Sequence, residues 1–223
     1  MKKIIYGAVF LVVCWLLISI IFFNSEKLPV FETQITEERP SASPNIQAVP
    51  PADSSEAGWP LDRIRERASK KPFGLKISLE DSPVSPERFS GYHTGVDLEI
   101  FPGEEESEVV ARAICQGPLI YKNRVSGYGG VAVQECELTG RPVTVVYGHL
   151  RLASVKAVIG QALAVGEELG VLGKGFSAET DGERKHLHLG IHLGGEVNLA
   201  GYVAGQNELA AWLDPLDYLL GAR

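Results

Sequence analysis

The chain contains few cysteines and no excess of basic residues, and both facts restrict what it can do. Among its 223 residues there are 3 cysteines and 5 histidines. A metal site in so cysteine-poor a chain is expected to use histidine with a carboxylate. The 21 Lys and Arg against 28 Asp and Glu give a net charge of −7 with no basic stripe, so nucleic acid is not an expected partner.

Long hydrophobic runs are also absent, except for one at the N-terminus. Residues 4–23 are uninterruptedly apolar and follow Lys2 and Lys3. Twenty helical residues at about 1.5 Å each span about 30 Å, the thickness of a bilayer core. The lysines favour a cytoplasmic N-terminus. The sequence therefore predicts a single-pass anchor in the cytoplasmic (inner) membrane over residues 1–24, with the rest on the extracytoplasmic or periplasmic side.

A cleaved signal peptide is the main alternative to an anchor. Signal peptides normally have an apolar region of about 7–15 residues that ends at a small-residue cleavage site. The apolar run here is longer and continues into Phe22, Phe23 and Asn24. We therefore expect the segment to remain uncleaved.

The next segment, residues 25–59, is rich in Pro, Ser, Glu and Ala and shows little periodicity. This composition predicts a solvated, disordered linker. Residues 60–223 then form one domain, because a chain of this length suffices for a single hydrophobic core.

The pattern of this domain is largely β. Short Val- and Ile-rich segments are separated by turns bearing Gly, Pro or Asn, which predicts an antiparallel sheet with one polar, groove-forming face. The segments are residues 109–115, 131–136, 143–147 and His186–Leu193. Few helices are expected: residues 61–71, residues 207–212, and a last short helix for which Asp214 offers an N-cap and Pro215 the first position.

Four of the five histidines, with one aspartate, occur in three short motifs that together predict a zinc site. The motifs are His93-Thr-Gly-Val-Asp97, Tyr147-Gly-His149-Leu, and His186-Leu-His188. A catalytic zinc takes three protein ligands of the nitrogen or carboxylate type and keeps one position open for water. This set supplies the three ligands and leaves two imidazoles beside the water.

The spacings restrict how the motifs can converge. On a straight strand, His93 and Asp97 would be separated by roughly 13 Å, too far for one ion. We therefore expect a loop to deliver His93 into a strand over residues 96–100. His186 and His188 share a face of one strand, so one ring can bind the metal while the other reaches the water. Spacing alone leaves open which of the two is the ligand.

Two further features have alternatives. His192 lies on the same strand face further along, and an ordinary strand histidine is favoured over a role beside a ligand. Cys115 and Cys136 fall in candidate neighbouring strands of an exported domain. They form either a disulfide or two buried thiols.

The three motifs together resemble those of the LytM/lysostaphin-type zinc metalloendopeptidases, which cut peptides in bacterial peptidoglycan. The resemblance spans residues 73–192 and includes the Gly127-Tyr128-Gly129 turn. It implies the same folded β groove or sandwich. By position, it implies that His93, Asp97 and His188 bind one zinc ion per chain.

The same resemblance implies that His186 and His149 act on the water and on the transition state. We assign His186 as general base and His149 to oxyanion stabilisation, although the two roles can be exchanged. The chain departs from the family pattern at Gly190, where an acidic residue is frequent, and at Arg184-Lys185, where Gly-Pro is usual. These departures concern substrate fit and ligand orientation more than metal binding.

Three functional hypotheses follow. The first is an anchored zinc endopeptidase acting on peptidoglycan stem peptides or bridges. The second is a silent module of the same fold that activates a cell-wall amidase or a division-complex partner. The third is a peptidase with a protein substrate. A silent relative is expected to have lost ligands, and here all three ligands and both accessory histidines are present, which favours the enzyme.

Overall fold

A computed structural model describes residues 58–221. The predicted anchor over residues 1–24 and nearly all of the predicted linker over residues 25–59 lie outside the described residues. Among the described residues, no helix is long and apolar enough to span a membrane.

The described residues are mainly β, as the sequence predicts. The strands are β1 (Lys76–Ile77), β2 (Gly91–His93), β3 (Gly95–Glu99), β4 (Val110–Arg112), β5 (Gly117–Val125), β6 (Gly129–Leu138), β7 (Arg141–Gly148), β8 (Ala162–Leu163), β9 (Glu168–Val171), β10 (His186–Leu193), β11 (Tyr202–Val203) and β12 (Trp212–Leu213). The helices are α1 (Ile64–Arg67) and α2 (Pro215–Gly221), with 3-10 turns over Leu152–Ser154 and Gln206–Ala211.

The largest sheet has seven strands in the order β12-β10-β7-β6-β5-β8, with β3 also pairing with β10. Its pairings are antiparallel. The central strands β6, β7 and β10 are almost entirely buried. Burial of both faces explains why β7 carries a nearly continuous apolar run, since a buried strand does not need to alternate with polar residues.

Two smaller sheets complete the described part. Strands β1, β2 and β11 form a three-stranded sheet in the order β1-β2-β11, and β4 pairs with β9. The predicted strand over residues 109–115 is shortened to β4, because beyond it the backbone N–H of Ala113 bonds to Glu167 and that of Ile114 to the hydroxyl of Tyr147. These contacts lie outside any strand ladder.

The helix predicted over residues 61–71 is too long, since only the four residues of α1 are helical. Ile64, the one apolar residue of α1, is fully buried. Arg67 is also buried, because its guanidinium bonds to the side chains of Asp62 and Glu104 and to the carbonyl of Glu99. These tertiary contacts hold the segment in place, and the helix ends at Arg67 although the sequence pattern alone predicts further turns.

At the C-terminal end, the helix expected over residues 207–212 is a 3-10 turn, and Trp212 already belongs to β12. The last helix is confirmed. The carboxylate of Asp214 accepts hydrogen bonds from the N–H groups of Leu216 at 2.9 Å and Asp217 at 3.5 Å, as an N-cap does.

Cys115 and Cys136 form a disulfide with a Cα–Cα distance of 6.1 Å. Of the two alternatives left open by the sequence, the structure therefore has the bridge. Cys136 lies on β6, whereas Cys115 lies beyond the end of β4, although the sequence predicts a strand through residue 115.

Candidate metal centre

The candidate centre lies where β10 runs between β3 and β7. The register of these strands places His188 opposite Asp97 on one side and opposite Gly148 on the other. His149 directly follows Gly148, and its backbone has a φ of 61°. A left-handed backbone is uncommon for a residue other than glycine and is often found at functional sites. Here it turns the chain as β7 ends beside His188.

His93 reaches the same point from the smaller sheet. It is the last residue of β2, and Thr94 alone separates it from β3. Thr94 is fixed in the crossing, because its N–H donates to the carbonyl of Gly201 at 3.1 Å and its hydroxyl to that of Ala200 at 2.5 Å. The predicted strand after His93 is confirmed as β3, but the predicted delivery loop is wrong. The segment bends because the chain passes from the three-stranded sheet at His93 to the seven-stranded sheet at Gly95, and backbone hydrogen bonds hold it in both sheets.

The three predicted ligands form a compact triangle of donor atoms. His93 Nε2 lies 3.1 Å from His188 Nδ1, and Asp97 Oδ1 lies 3.3 Å from His93 Nε2 and 3.2 Å from His188 Nδ1. Tetrahedral zinc ligands at roughly 2.0–2.2 Å from the ion are about 3.3 Å from each other. The donor set and its spacing therefore fit one zinc ion.

The other ring nitrogens are already occupied, which directs lone pairs to the centre of the triangle. His93 Nδ1 lies 3.2 Å from the carbonyl of Pro72, an acceptor, so this nitrogen carries the proton. His188 Nε2 lies 3.3 Å from the hydroxyl of Tyr128. Partners of this kind fix the tautomer and the ring orientation of metal ligands. Three facing electron-pair donors repel one another unless a cation lies between them.

Electrostatics favour the metal-binding protonation states. Burial opposes ionisation of Asp97, but its electrostatic interaction with His186 and His93 outweighs this and holds the pKa of Asp97 well below its ordinary value. Burial lowers the pKa of His188 to about 4, although its hydrogen bond to Asp97 acts in the opposite direction. Near neutral pH the site therefore presents a carboxylate and a neutral imidazole, the forms that bind metal.

The two accessory histidines lie beside this triangle. The ring centroids of His149 and His186 are 4.2 Å apart. His186 Nδ1 lies 2.9 Å from the carbonyl of Arg184, which holds the proton on that nitrogen. His186 Nε2 is thereby left as an acceptor, 3.3 Å from Asp97 Oδ2.

His149 is almost fully buried. Burial, followed by the electrostatic interaction with His186, lowers the pKa of His149 well below its ordinary value. Within residues 58–221, its Nδ1 atom has no hydrogen-bond partner. The ring is therefore neutral near pH 7, and one polar atom remains available for a ligand.

Asp97, His188 and the two accessory histidines border one cavity of about 380 Å³, whereas His93 is not part of its lining. Its further walls are aromatic and charged, and the residues that form them include Lys71, Arg88, Phe89, Glu183, Leu199 and Tyr202. Phe89 and Tyr202 stack with ring centroids 5.5 Å apart, and Tyr202 also lies 5.2 Å from the ring of His93. The cavity is large enough for a short peptide segment to reach Asp97 and His188.

Two residues at the site have roles that the sequence did not reveal. Tyr128 was visible only as part of a glycine-flanked turn, and Arg184 only as a departure from a family pattern. Both contact predicted ligands, Tyr128 through His188 and Arg184 through Asp97. The available signal for Arg184 was its position two residues before His186. His192 packs against Trp212 at a centroid distance of 4.8 Å and contacts no ligand, as expected for an ordinary strand histidine.

The fold and the site together define a class: an antiparallel β protein with a buried His-Asp-His centre suited to zinc. No family model and no curated protein matches the chain. Several solved structures are similar to it. CbpA from L. salivarius REN has 20% identity, covering 75% of this chain and 96% of that one, with a TM-score of 0.49. LytU has 19% identity, covering 66% and 81%, with a TM-score of 0.43.

A zinc-containing peptidase from Vibrio cholerae is also similar, with 16% identity over 60% of this chain and 36% of that one, and a TM-score of 0.39. Identities of 20% or less with TM-scores below 0.5 do not establish an activity, which therefore depends on the geometry of the site.

Proposed function

We propose that the chain is a membrane-anchored zinc metalloendopeptidase that hydrolyses peptide bonds in peptidoglycan stem peptides or cross-bridges. The observation that carries this proposal is the triangle of His93, Asp97 and His188 donors, 3.1–3.3 Å apart, with two further histidines on the same cavity. A purely structural zinc site is closed by a fourth protein ligand. Among the described residues, the cluster that could hold a metal has three.

Zinc in a site of this kind supplies Lewis acidity, which lowers the pKa of water towards about 7 and polarises a carbonyl group. The chain supplies the proton transfer. His186 Nε2 is an acceptor because its Nδ1 proton is held by the Arg184 carbonyl. Once protonated there, the imidazolium donates to Asp97 Oδ2, 3.3 Å away, which stabilises the charge. His186 is therefore the general base.

His149 suits a different task. A ring with its pKa held well below the ordinary value is a weak base near pH 7. A neutral imidazole can still donate one hydrogen bond to the oxyanion that develops on the substrate. We assign His149 this role.

The substrate class and the location are parts of the same proposal. Peptidoglycan follows from the family that the motifs resemble. The apolar run over residues 4–23 and the linker over residues 25–59 support an anchored domain that reaches the nearby wall from the extracytoplasmic side.

The test incubates the purified, zinc-loaded full chain with purified peptidoglycan and identifies the released peptides by mass spectrometry. We expect release from the unchanged chain and none from His188→Ala, which loses a ligand. His186→Ala and His149→Ala are expected to keep zinc but to lose about 10²–10⁴-fold in rate, the usual contribution of an acid or base group. Full rates in both variants would show the assignments to be wrong.

The same experiment separates the enzyme from a silent module. If the zinc-loaded chain releases no peptide and instead stimulates an added cell-wall amidase, that result would contradict the peptidase and favour the regulatory function.

A further inference from the structure

Arg184 contacts two buried carboxylates at the site. Its Nη2 donates to Asp97 Oδ2 at 2.8 Å and to Glu99 Oε1 at 2.6 Å. Its Nε lies 3.0 Å from both Glu99 oxygens. The side chains of Arg184, Asp97 and Glu99 are 13%, 3% and 8% exposed, so solvent weakens these contacts little.

Strand register explains how one guanidinium reaches two carboxylates. Antiparallel pairing of β10 with β3 sets His188 opposite Asp97 and His186 opposite Glu99. Asp97 and Glu99 are two apart on β3 and share a face, and Arg184 comes two residues before His186. Arg184 itself precedes β10, and from there its side chain reaches both acids.

The contact divides the two oxygens of Asp97 between different partners. Oδ1 faces His93 Nε2 and His188 Nδ1, whereas Oδ2 is held by Arg184. An unrestrained carboxylate can bind a metal through both oxygens, and the second bond uses the position that a catalytic site keeps open for water. Engaging Oδ2 elsewhere prevents this.

We propose that Arg184 is a positioning residue that keeps Asp97 a single-oxygen ligand and so preserves the open position on the metal. This inference rests on the proposed zinc function and deepens it. Glu99 is the anchor, because it binds the guanidinium through both oxygens and also pairs with Lys70 at 3.4 Å.

Arginine has the shape that this role needs. Its planar fork offers several donors in a fixed geometry and can bind two carboxylates at once, whereas lysine is a compact point charge on a flexible stem. Lysine at position 184 keeps the positive charge but loses the bridge. Comparison of the two residues separates a positioning role from a simple effect of charge.

The first measurement is the zinc affinity of the purified full chain in competition with a chromogenic chelator. We expect Arg184→Gln and Arg184→Lys both to weaken zinc binding, the former by about 10–100-fold as is typical when a partner of a ligand is lost. Arg88→Gln is the matched control. Arg88 borders the same cavity but bonds to Glu183 and Asp181 rather than to a ligand, so this variant should bind zinc as the unchanged chain does.

The second measurement is the visible absorption of the cobalt-substituted chain, which reports the coordination number of the ion. We expect a four-coordinate spectrum from the unchanged chain and a shift towards five-coordination in Arg184→Gln. Glu99→Gln should also weaken zinc binding. The double variant should bind zinc no more weakly than Arg184→Gln alone, because both changes break the same contact.

Unchanged zinc affinity and an unchanged cobalt spectrum in Arg184→Gln, or full affinity in Arg184→Lys, would overturn the positioning role. In that case zinc binding and peptide release by the unchanged chain would leave the proposed function standing. If the unchanged chain binds no zinc, both proposals fail together.

Discussion

Among single residues, Lys71 and Glu87 form the most deeply buried ion pair beside the site. Their charged atoms lie 2.6 Å apart and each side chain is only 2% exposed. Lys71 also donates to the hydroxyl of Tyr202 at 3.0 Å, and its carbonyl accepts the N–H of Asp97. The pair therefore ties the segment that bears Phe89 to the strand that bears a ligand.

Stability should depend on this pair at neutral pH and lose that dependence in acid. Burial opposes ionisation of Glu87, but hydrogen bonds from Lys71, Ser82 and the N–H of Phe89 lower its pKa below the ordinary 4.5. Because the folded-state pKa is the lower one, the stabilisation is complete above about pH 4.5 and is lost as pH falls through the folded value.

We expect Glu87→Gln to lower the free energy of unfolding at pH 7 by about 3–5 kcal/mol, since it leaves the Lys71 ammonium buried without a counter-charge. The difference from the unchanged chain should narrow below pH 4.5, as measured by urea unfolding at several pH values. Glu80→Gln, at an exposed position of the same segment, is the control. An equal difference at pH 7 and pH 3 would contradict the titration of Glu87.

At the scale of elements, β3 and β10 can pair as they do only because position 95 is glycine. A Cβ there would lie 2.3 Å from the carbonyl oxygen of Leu189 and 2.9 Å from ring atoms of His188. The carbonyl belongs to the backbone of the partner strand, so relief requires the two strands to move apart. These are the strands whose register sets Asp97 beside His188.

Gly95→Ala should therefore damage both stability and metal binding. Overpacking in a close-packed interior typically costs about 1–3 kcal/mol, measurable by urea unfolding. Zinc affinity should fall with it, because the displaced atoms are those of His188. Gly221→Ala serves as control, since a Cβ at that position meets nothing within 4 Å. Loss of stability with zinc affinity intact would show that the strands separate without moving the ligands.

The elements also show what a single sequence can predict. Strand β10 matches the predicted His186–Leu193 because a run of apolar residues and histidines ends at a glycine pair. Strand β4 is shorter than predicted, because the partners of Ala113 and Ile114 are remote in sequence. The motifs indicated which residues meet at the site. The contacts of Arg184 and Tyr128 join segments that are far apart in the sequence, so spacing could not predict them.

At the scale of the whole molecule, the disulfide and the metal site lie at opposite ends of the central strands. Gly148, beside His188, pairs with Val131 on β6, whereas Cys136 pairs with Val143. Five residues along a strand span about 16 Å. The bridge therefore joins β6 to the segment after β4 without contacting the predicted ligands. We infer that it stabilises the fold and takes no part in the site.

The double variant Cys115→Ala/Cys136→Ala should consequently be less stable but still active. Loss of a disulfide typically costs about 2–4 kcal/mol, because the unfolded chain gains freedom, and urea unfolding measures this loss. Zinc affinity and peptide release should be unchanged, since the bridge lies far from the three donors. A thiol count on the unfolded, unreduced full chain should detect Cys14 alone of the three cysteines. Detection of all three thiols would exclude the bridge, and loss of zinc in the double variant would show that the two ends are coupled.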